Sequence, residues 1–571
     1  MLPQSKYFLA SLLCVLSFAF VTASAQTPYV QMLGQQNHWA DSVLKKLSRK
    51  QKIAQLFFVR AHTDKGKHYE DSVAEVIETQ QLGGVVFFQG GPVRQANLIN
   101  RYQKLVNVPL LIAMDGEWGL GMRLDSTIAY PYQMTLGAIH NNNLIVTMGR
   151  QIAADFKRMG MQINFGPDMD VNNNPQNPVI NYRSFGDNKL NVAAKGIAYM
   201  RGMQDGGILT TAKHFPGHGD TNVDSHLDLP LLPFTRKRLD TLEEYPFREA
   251  IDAGISGIMI AHMAIPALDN TKNLPSTLSP KIVTGVLKDS LGFKGLVVSD
   301  AMEMKAITKY FPNGEAELKA FLAGEDIIEL STNSAVAISK ICRAIRKGQT
   351  TDEELDRRVR KILVAKYWTG LASRKDVSTT HLYEDLNRPA SHELVSQLAD
   401  AAVTVLKGTE NQLQLDPLFK TAIVSIGVDE FTVFQRELAR YYPNSRMFKV
   451  EKDMSAERLN QLLNALVDYD QVYIAINDTR LRPQSKLAYS GEMKAFLTKL
   501  FEHRNSVSVV FANPYTIATL PGIEKSGAVM ACYQMSDDLQ RSAVKVITRQ
   551  LKATGKLPVT INTDFRNGLG L

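Results

Sequence analysis

The stretch KHFPGHGDTNVDSH, Lys213 to His226, sets His214, His218 and His226 beside Asp220 and Asp224 within fourteen positions. Imidazoles and carboxylates this close together suit three kinds of chemistry. They can ligate a divalent ion, satisfy a polar turn through local side-chain contacts, or move protons near neutral pH, where imidazole titrates. Pro216, Gly217 and Gly219 prevent a continuous helix, so these groups sit on a loop. Asp300, in LVVSDAMEM, is equally ambiguous. It reads either as a carboxylate nucleophile or as a helix N-cap with Glu303 as its capping-box partner. Asp115, Trp118 and Arg123 in AMDGEWGLGMR, with Arg183 in NNNPQNPVINYRSFG, add carboxylate, aromatic and guanidinium groups that suit a hydroxyl-rich ligand such as a sugar.

Such a set must be gathered by the fold. Eight short apolar runs, at 53–60, 84–88, 110–115, 162–167, 208–214, 256–262, 295–300 and 326–331, alternate with longer amphipathic stretches. That is the rhythm of βα units around a parallel sheet. Several runs lack polar alternation, as expected for strands covered on both faces. The stretch PFREAIDAG has Pro246 at a first helical position and Gly254 at its end. Eight such units predict a (β/α)8 TIM barrel, with an open doubly wound sheet as the alternative. Asp115, His214, His262, Asp300 and Glu329 then fall at strand ends, on the face where barrel active sites lie.

The predicted catalytic barrel spans 26–372 and a polar linker spans 373–400. Five further apolar runs, at 402–408, 421–428, 471–478, 507–514 and 528–534, predict a smaller α/β sandwich over 401–571.

A chain of 571 residues exceeds one hydrophobic core. The net charge of +8 comes from 65 basic and 57 acidic residues interspersed along the whole chain. Phosphate binding needs a concentrated basic patch, so nucleic acid is not expected as a partner. Lys6, the apolar run YFLASLLCVLSFAFV, and Ala23 and Ala25 before Gln26 predict a signal peptide over 1–25. The run is short for a spanning helix, so the expectation is an exported protein, periplasmic or secreted, without a stable membrane span. Beyond that segment only Cys342 and Cys532 remain, without metal-binding spacing, and their pairing is left open. The first barrel run leads into FFVRAH, a single histidine where a barrel metallohydrolase would carry a pair, so neither a metal nor any other cofactor is expected.

Taken together, the motifs resemble glycoside hydrolase family 3, in its β-N-acetylglucosaminidase branch. KHFPGHGDTNVDSH fits that branch's KH-x-PG-x-GD-T-x-x-DSH signature, and NPVINYRSFG and VVSDAMEM match two further motifs in the family's order. The barrel resemblance covers roughly residues 40–370, and the second domain resembles the sandwich of two-domain members. The resemblance implies a retaining exo-β-N-acetylglucosaminidase acting on peptidoglycan fragments or related β-GlcNAc glycosides. It implies Asp300 as the nucleophile, His226 as the acid/base and Asp224 as its orienting partner. It places Asp115, Arg123, Arg183, Lys213 and His214 on the sugar. A histidine does not repel an incoming anion, so a phosphorylase stays open beside a β-glucosidase, and a catalytically inactive saccharide-binding protein is the reading from another class. Single-domain members have D-x-EGGR-V-x-R where this chain has DGEWGLGMR, which keeps Asp115 and Arg123 in place and puts Trp118 in the pocket wall. The SAVK at Ser542–Lys545 has no KTG partner and is read as coincidence.

Overall fold

A computed structural model describes residues 27–481 and 489–571; the predicted signal peptide lies outside the described residues. The first eight strands are β1 (Phe57–Ala61), β2 (Gly84–Phe87), β3 (Leu111–Met114), β4 (Ile163–Asn164), β5 (Leu209–Phe215), β6 (Gly257–Ile260), β7 (Leu296–Ser299) and β8 (Ile328–Glu329). All neighbouring pairs are parallel, in the order β7-β6-β5-β4-β3-β2-β1-β8. The isolated parallel bridge Val298–Ile327, with Ser299 N donating to Ile327 O at 2.9 Å, joins β7 to β8 and completes the TIM barrel. Helices cover the outside and side chains fill the inside, so β2, β3, β5, β6 and β7 are buried at every position. This double burial is why β2, β3 and β6 read as unbroken apolar runs, whereas β5 buries Thr210, Thr211, Lys213 and His214 among its apolar residues.

The helix Tyr245–Asp252 carries Pro246 in its first turn, and Gly254 follows it at φ +85°. The first apolar run divides differently from expectation. Ser48 and Gln51 form a capping box that starts a helix over Arg49–Ala54, and only then does β1 begin, at Phe57. No described helix is long and apolar enough to cross a membrane.

The second sheet contains β9 (Thr404–Lys407), β10 (Thr421–Ile426), β11 (Ser445–Val450), β12 (Gln471–Asn477), β13 (Ser506–Phe511) and β14 (Ala528–Ala531). Its order is β11-β10-β12-β13-β14-β9, parallel except for β9, which runs antiparallel to β14. The strand β11, SRMFKV, is absent from the sequence reading. It is an edge strand with exposed Arg446 and Lys449, and such charges both protect an edge and hide the apolar signal.

The segment read as a polar linker is largely helical, with Leu382–Leu386 followed by Pro389–Ala402. Its charges are used in docking. Arg158 meets Asp385 at 2.7 Å and Arg388 meets Asp155 at 2.6 Å. Asp400 accepts from Ser542 Oγ at 2.6 Å and pairs with Lys545 at 2.9 Å, so both polar residues of SAVK are committed to helix packing. The chain end returns to the barrel, where Lys556 N donates to Ala138 O at 2.9 Å and Asp187 N to Pro558 O at 3.1 Å. Gly186, at φ +135°, permits this approach, since a Cβ there would meet Pro558 O at 2.2 Å. Cys532 is buried, Cys342 is half-buried, and both are free thiols.

Candidate active site

At the C-terminal ends of the barrel strands lies a cavity of about 530 Å³, a size suited to a small-molecule ligand. Every site residue that the resemblance implies lines it except Asp224, whose Oδ1 lies 2.7 Å from His226 Nδ1.

The inner wall is an ion-pair network. Asp115, just beyond β3, accepts from Arg123 Nη2 at 2.7 Å and from Lys213 Nζ, on β5, at 2.7 Å. Burial alone would raise its pKa, but Lys213 and Arg123 outweigh burial and hold the carboxyl well below the usual range. Two residues on, Glu117 is fully buried; Arg183 grips it through Nε at 3.0 Å and Nη2 at 2.6 Å, and Lys213 lies 3.0 Å away. Against the burial penalty, Arg183 and Lys213 bring it down to about 2. The two cations thus arrive already neutralised and oriented, which suits hydrogen bonding to uncharged hydroxyls better than capture of an anion.

His214 follows Lys213 on β5, where the register against β6 shifts between Ala212 and Phe215. Asp170 Oδ2 lies 2.8 Å from His214 Nδ1 and fixes the ring, while His214 Nε2 lies 3.4 Å from Arg183. Asp170 also accepts the backbone N–H of His218 at 2.6 Å. The loop after β5 can pack this tightly against the segment after β4 only because Gly219 has no side chain, since a Cβ there would meet Val171 O at 1.9 Å.

Asp300 follows β7, half-buried, with Oδ1 accepting from Ala301 N at 2.8 Å. It caps no helix. The next helix starts at Lys305 after Met304, and Glu303 is taken by Arg60, so the capping-box alternative fails. Burial works against the charged form of Asp300, but the imidazoles of His262 and His214, the Ala301 N–H and His226 together lower its pKa. His262, a strand-end candidate, does not line the cavity. It is buried with Nδ1 2.6 Å from Thr277 Oγ1 and Nε2 3.0 Å from the carbonyl of Ala301, the peptide that follows Asp300.

The polar loop after β5 resolves into three parts. Asp220 pairs with Arg238, and His218 is buried against Thr221 Oγ1 at 2.7 Å, so both are structural. Burial, then the neighbouring His214, drives the pKa of His218 down to about 4, which keeps it neutral. His226 is different. Its side chain is 61% exposed, and Nδ1 lies 2.7 Å from Asp224 Oδ1. The bond to Asp224 raises its pKa, partly opposed by burial, and the charge of Asp300 raises it further. The loop is tied to the segment beyond Asp300 by Lys309, which pairs with Asp228 at 2.9 Å. The arrangement offers an ionised carboxylate inside a sugar-sized cavity and a protonatable imidazole at its rim.

Glu117, Asp168 and Asp170 escape the sequence reading. Their signal is carboxylates at alternate positions beyond strands: DGE after β3 and DMD after β4. Asp168, Asp170 and His214 present ligand atoms within 4.8 Å of one another, close enough to hold a cation. Asp170 takes the His214 ring and two backbone N–H groups, whereas Asp168 Oδ2 is buried without a hydrogen-bond partner, with the Arg183 guanidinium 3.9 Å away. Burial and the Asp170 charge raise Asp168 well above the carboxylate range.

The outer wall is aromatic. Trp118, Tyr132 and Tyr182 meet with ring centroids 4.9, 5.1 and 6.1 Å apart, and Trp118 and Tyr182 line the cavity. The sandwich domain braces these loops. Gln534 Oε1 accepts from Tyr132 N at 2.9 Å and Thr135 Oγ1 at 2.8 Å, Tyr515 Oη accepts from Asn172 at 2.9 Å, and Asn513 donates to Asn181. Replacing Gln534 with alanine strands the Tyr132 N–H and is expected to cost about 1–3 kcal/mol of stability. Thermal unfolding should show that loss, and KM for an aryl glycoside should rise more than kcat falls.

Residues 48–365 match the glycosyl hydrolase family 3 N-terminal domain. The chain is 28% identical over 549 residues to a β-hexosaminidase A of Pseudoalteromonas piscicida, across 86% of this chain and 91% of that one. It is 35% identical over 239 residues to a β-hexosaminidase of Nitrosomonas eutropha, covering 40% of this chain and 68% of the relative. A solved family 3 β-N-acetylglucosaminidase from a Paenibacillus species superposes with a TM-score of 0.76 at 30% identity, covering 90% of this chain and 99% of the other. A β-glucoside phosphorylase superposes at 0.78 with 23% identity, across 92% and 96% of the two chains, a likeness of fold alone. A domain match over more than half the length, carried by the same barrel that brings Asp115, Lys213 and Asp300 to one mouth, makes this chain a member of glycoside hydrolase family 3.

Proposed function

We propose that the chain is a retaining exo-β-N-acetylglucosaminidase that releases terminal GlcNAc from peptidoglycan fragments or related β-GlcNAc glycosides. The observation that carries this reading is the Asp224–His226 pair, 2.7 Å apart, on the rim of the cavity that holds the ionised Asp300. Asp300 attacks the anomeric carbon as the glycosidic bond breaks, and His226 delivers its Nε2 proton to the departing oxygen. Asp224 keeps Nδ1–H engaged, so the exchangeable proton is the one on Nε2. In the second half, the neutral imidazole takes a proton from water as the water oxygen attacks the anomeric carbon and the Asp300 carboxylate leaves. Asp115, Arg123, Arg183, Lys213 and His214 hold the sugar hydroxyls.

The β-hexosaminidase relatives support the GlcNAc preference. The apolar run and small residues before Gln26 support export, with the mature chain beginning at that residue. The test is hydrolysis of aryl β-GlcNAc beside aryl β-glucoside, with and without inorganic phosphate, followed by GlcNAc release from muropeptides. Faster turnover of the glucoside would overturn the sugar assignment. A second reading, phosphorolysis, is favoured by one feature: the rim base is an imidazole, which does not repel an anionic acceptor. Phosphate-dependent release of GlcNAc 1-phosphate would replace hydrolysis with that reaction.

A further inference from the structure

Four carboxyl groups line the cavity; Glu303 is paired with Arg60, and the mechanism uses Asp115 and Asp300. The fourth, Glu329, closes β8 and is 4% exposed. Its backbone is fixed on both sides: Glu329 N donates to Ser299 Oγ at 3.0 Å, and its carbonyl accepts from Met302 N at 3.1 Å. The side chain lines the cavity, and Oε2 is buried there without a hydrogen-bond partner. Unpaired buried carboxyl oxygens are rare because they cost about 1–3 kcal/mol each, so one on a side chain that lines a ligand cavity points to a partner that arrives with the ligand.

The surrounding charges define what kind of partner. Asp115 beyond β3 and Asp300 beyond β7 are like charges on either side, while Lys213 on β5 and Arg60 on β1 are the cations that face it. Lys213 is already engaged by Asp115 and Glu117, and Arg60 by Glu303. Among the described residues Glu329 has no ion pair within 4.0 Å. Asp115, Asp300 and Glu329, crowded together, do not all ionise. The two with cations or imidazoles at hand keep their charge, and burial followed by the Asp115 and Asp300 charges raises Glu329 well above the carboxylate range.

We propose that Glu329 is a specificity-determining residue of the pocket, presenting a carboxyl O–H donor from the end of β8 to one hydroxyl oxygen of the bound hexosamine beside Asp300. The proposal rests on the glycosidase reading, so its test is a binding measurement that does not need turnover. The affinity of full-length wild type, Glu329→Leu and Glu329→Gln is measured for GlcNAc and its 3-, 4- and 6-deoxy analogues. In wild type one analogue should bind roughly 10-fold more weakly than GlcNAc, in line with the loss of one buried hydrogen bond. In Glu329→Leu that same analogue should bind as GlcNAc does. An unchanged deoxy-sugar pattern in Glu329→Leu overturns the proposal. Glu329→Gln keeps a neutral donor and should match wild type within about threefold at every pH from 5 to 8; a wild-type affinity that drifts across that range while the glutamine variant's stays flat also overturns it. If GlcNAc binds with the expected pattern but no aryl β-GlcNAc is turned over, the catalytic reading fails while the site stands.

Discussion

Asp300→Asn removes turnover, by on the order of 10⁴-fold or more in kcat, while GlcNAc still binds within a few-fold of wild type. The magnitude follows from the loss of a covalent route, since an amide of the same shape neither attacks carbon nor leaves from it. Binding survives because Asp115, Lys213 and Arg183 are organised by one another and not by Asp300. A 5-fluoro glycosyl fluoride of GlcNAc should label wild type at Asp300, and mass spectrometry of the peptide around it reads the outcome. A labelled peptide elsewhere, with activity intact in the asparagine variant, would sink the assignment.

His226→Ala gives the second largest effect, with a loss of about 10²–10⁴-fold on substrates whose leaving group needs a proton. An aryl leaving group of low pKa should restore much of the first step, and azide should then rescue the second. The pH profile carries the finer test. Asp224 raises the pKa of His226, so the protonated donor persists above the ordinary imidazole value, and the basic limb of kcat/KM should lie above about 6.5. The acidic limb belongs to Asp300, whose lowered pKa keeps the nucleophile charged until the pH falls below the usual aspartate range. Asp224→Asn removes the largest cause of the upward shift, so the basic limb should move to lower pH while the acidic limb stays. Movement of both limbs together would mean that the loop, and not the proton, has been disturbed.

The barrel is legible in the sequence because a strand buried on both faces has no choice of residue type. The run leading to Asp115 is apolar throughout and the one leading to Asp300 is apolar up to Ser299, whereas β5 already carries Thr210, Thr211 and Lys213. What escapes is what depends on partners far along the chain. The edge strand β11 alternates charge with apolar residues and so loses its signal. The segment 373–400 is polar because it makes ion pairs with the barrel, and local composition cannot distinguish such docking from a solvated tether. Glu117 stands two residues from Asp115 and reads as ordinary loop chemistry until Arg183, 66 positions away, closes on it.

The ambiguous loop after β5 shows the division most clearly. By itself the sequence determined that imidazoles and carboxylates would sit together off a helix, because proline and glycine forbid one there. It also determined, through motif likeness, which family such a loop belongs to. That likeness implied His226 as the acid/base; only the tertiary structure decided the surroundings of each histidine. His218 is walled in by Thr221 and the Asp170 contact and held neutral by burial, whereas His226 projects to the rim with a carboxylate behind it. The reason is physical: a side chain's type fixes what it can ionise to, but the charge it carries depends on the solvent and partners that the rest of the fold leaves around it.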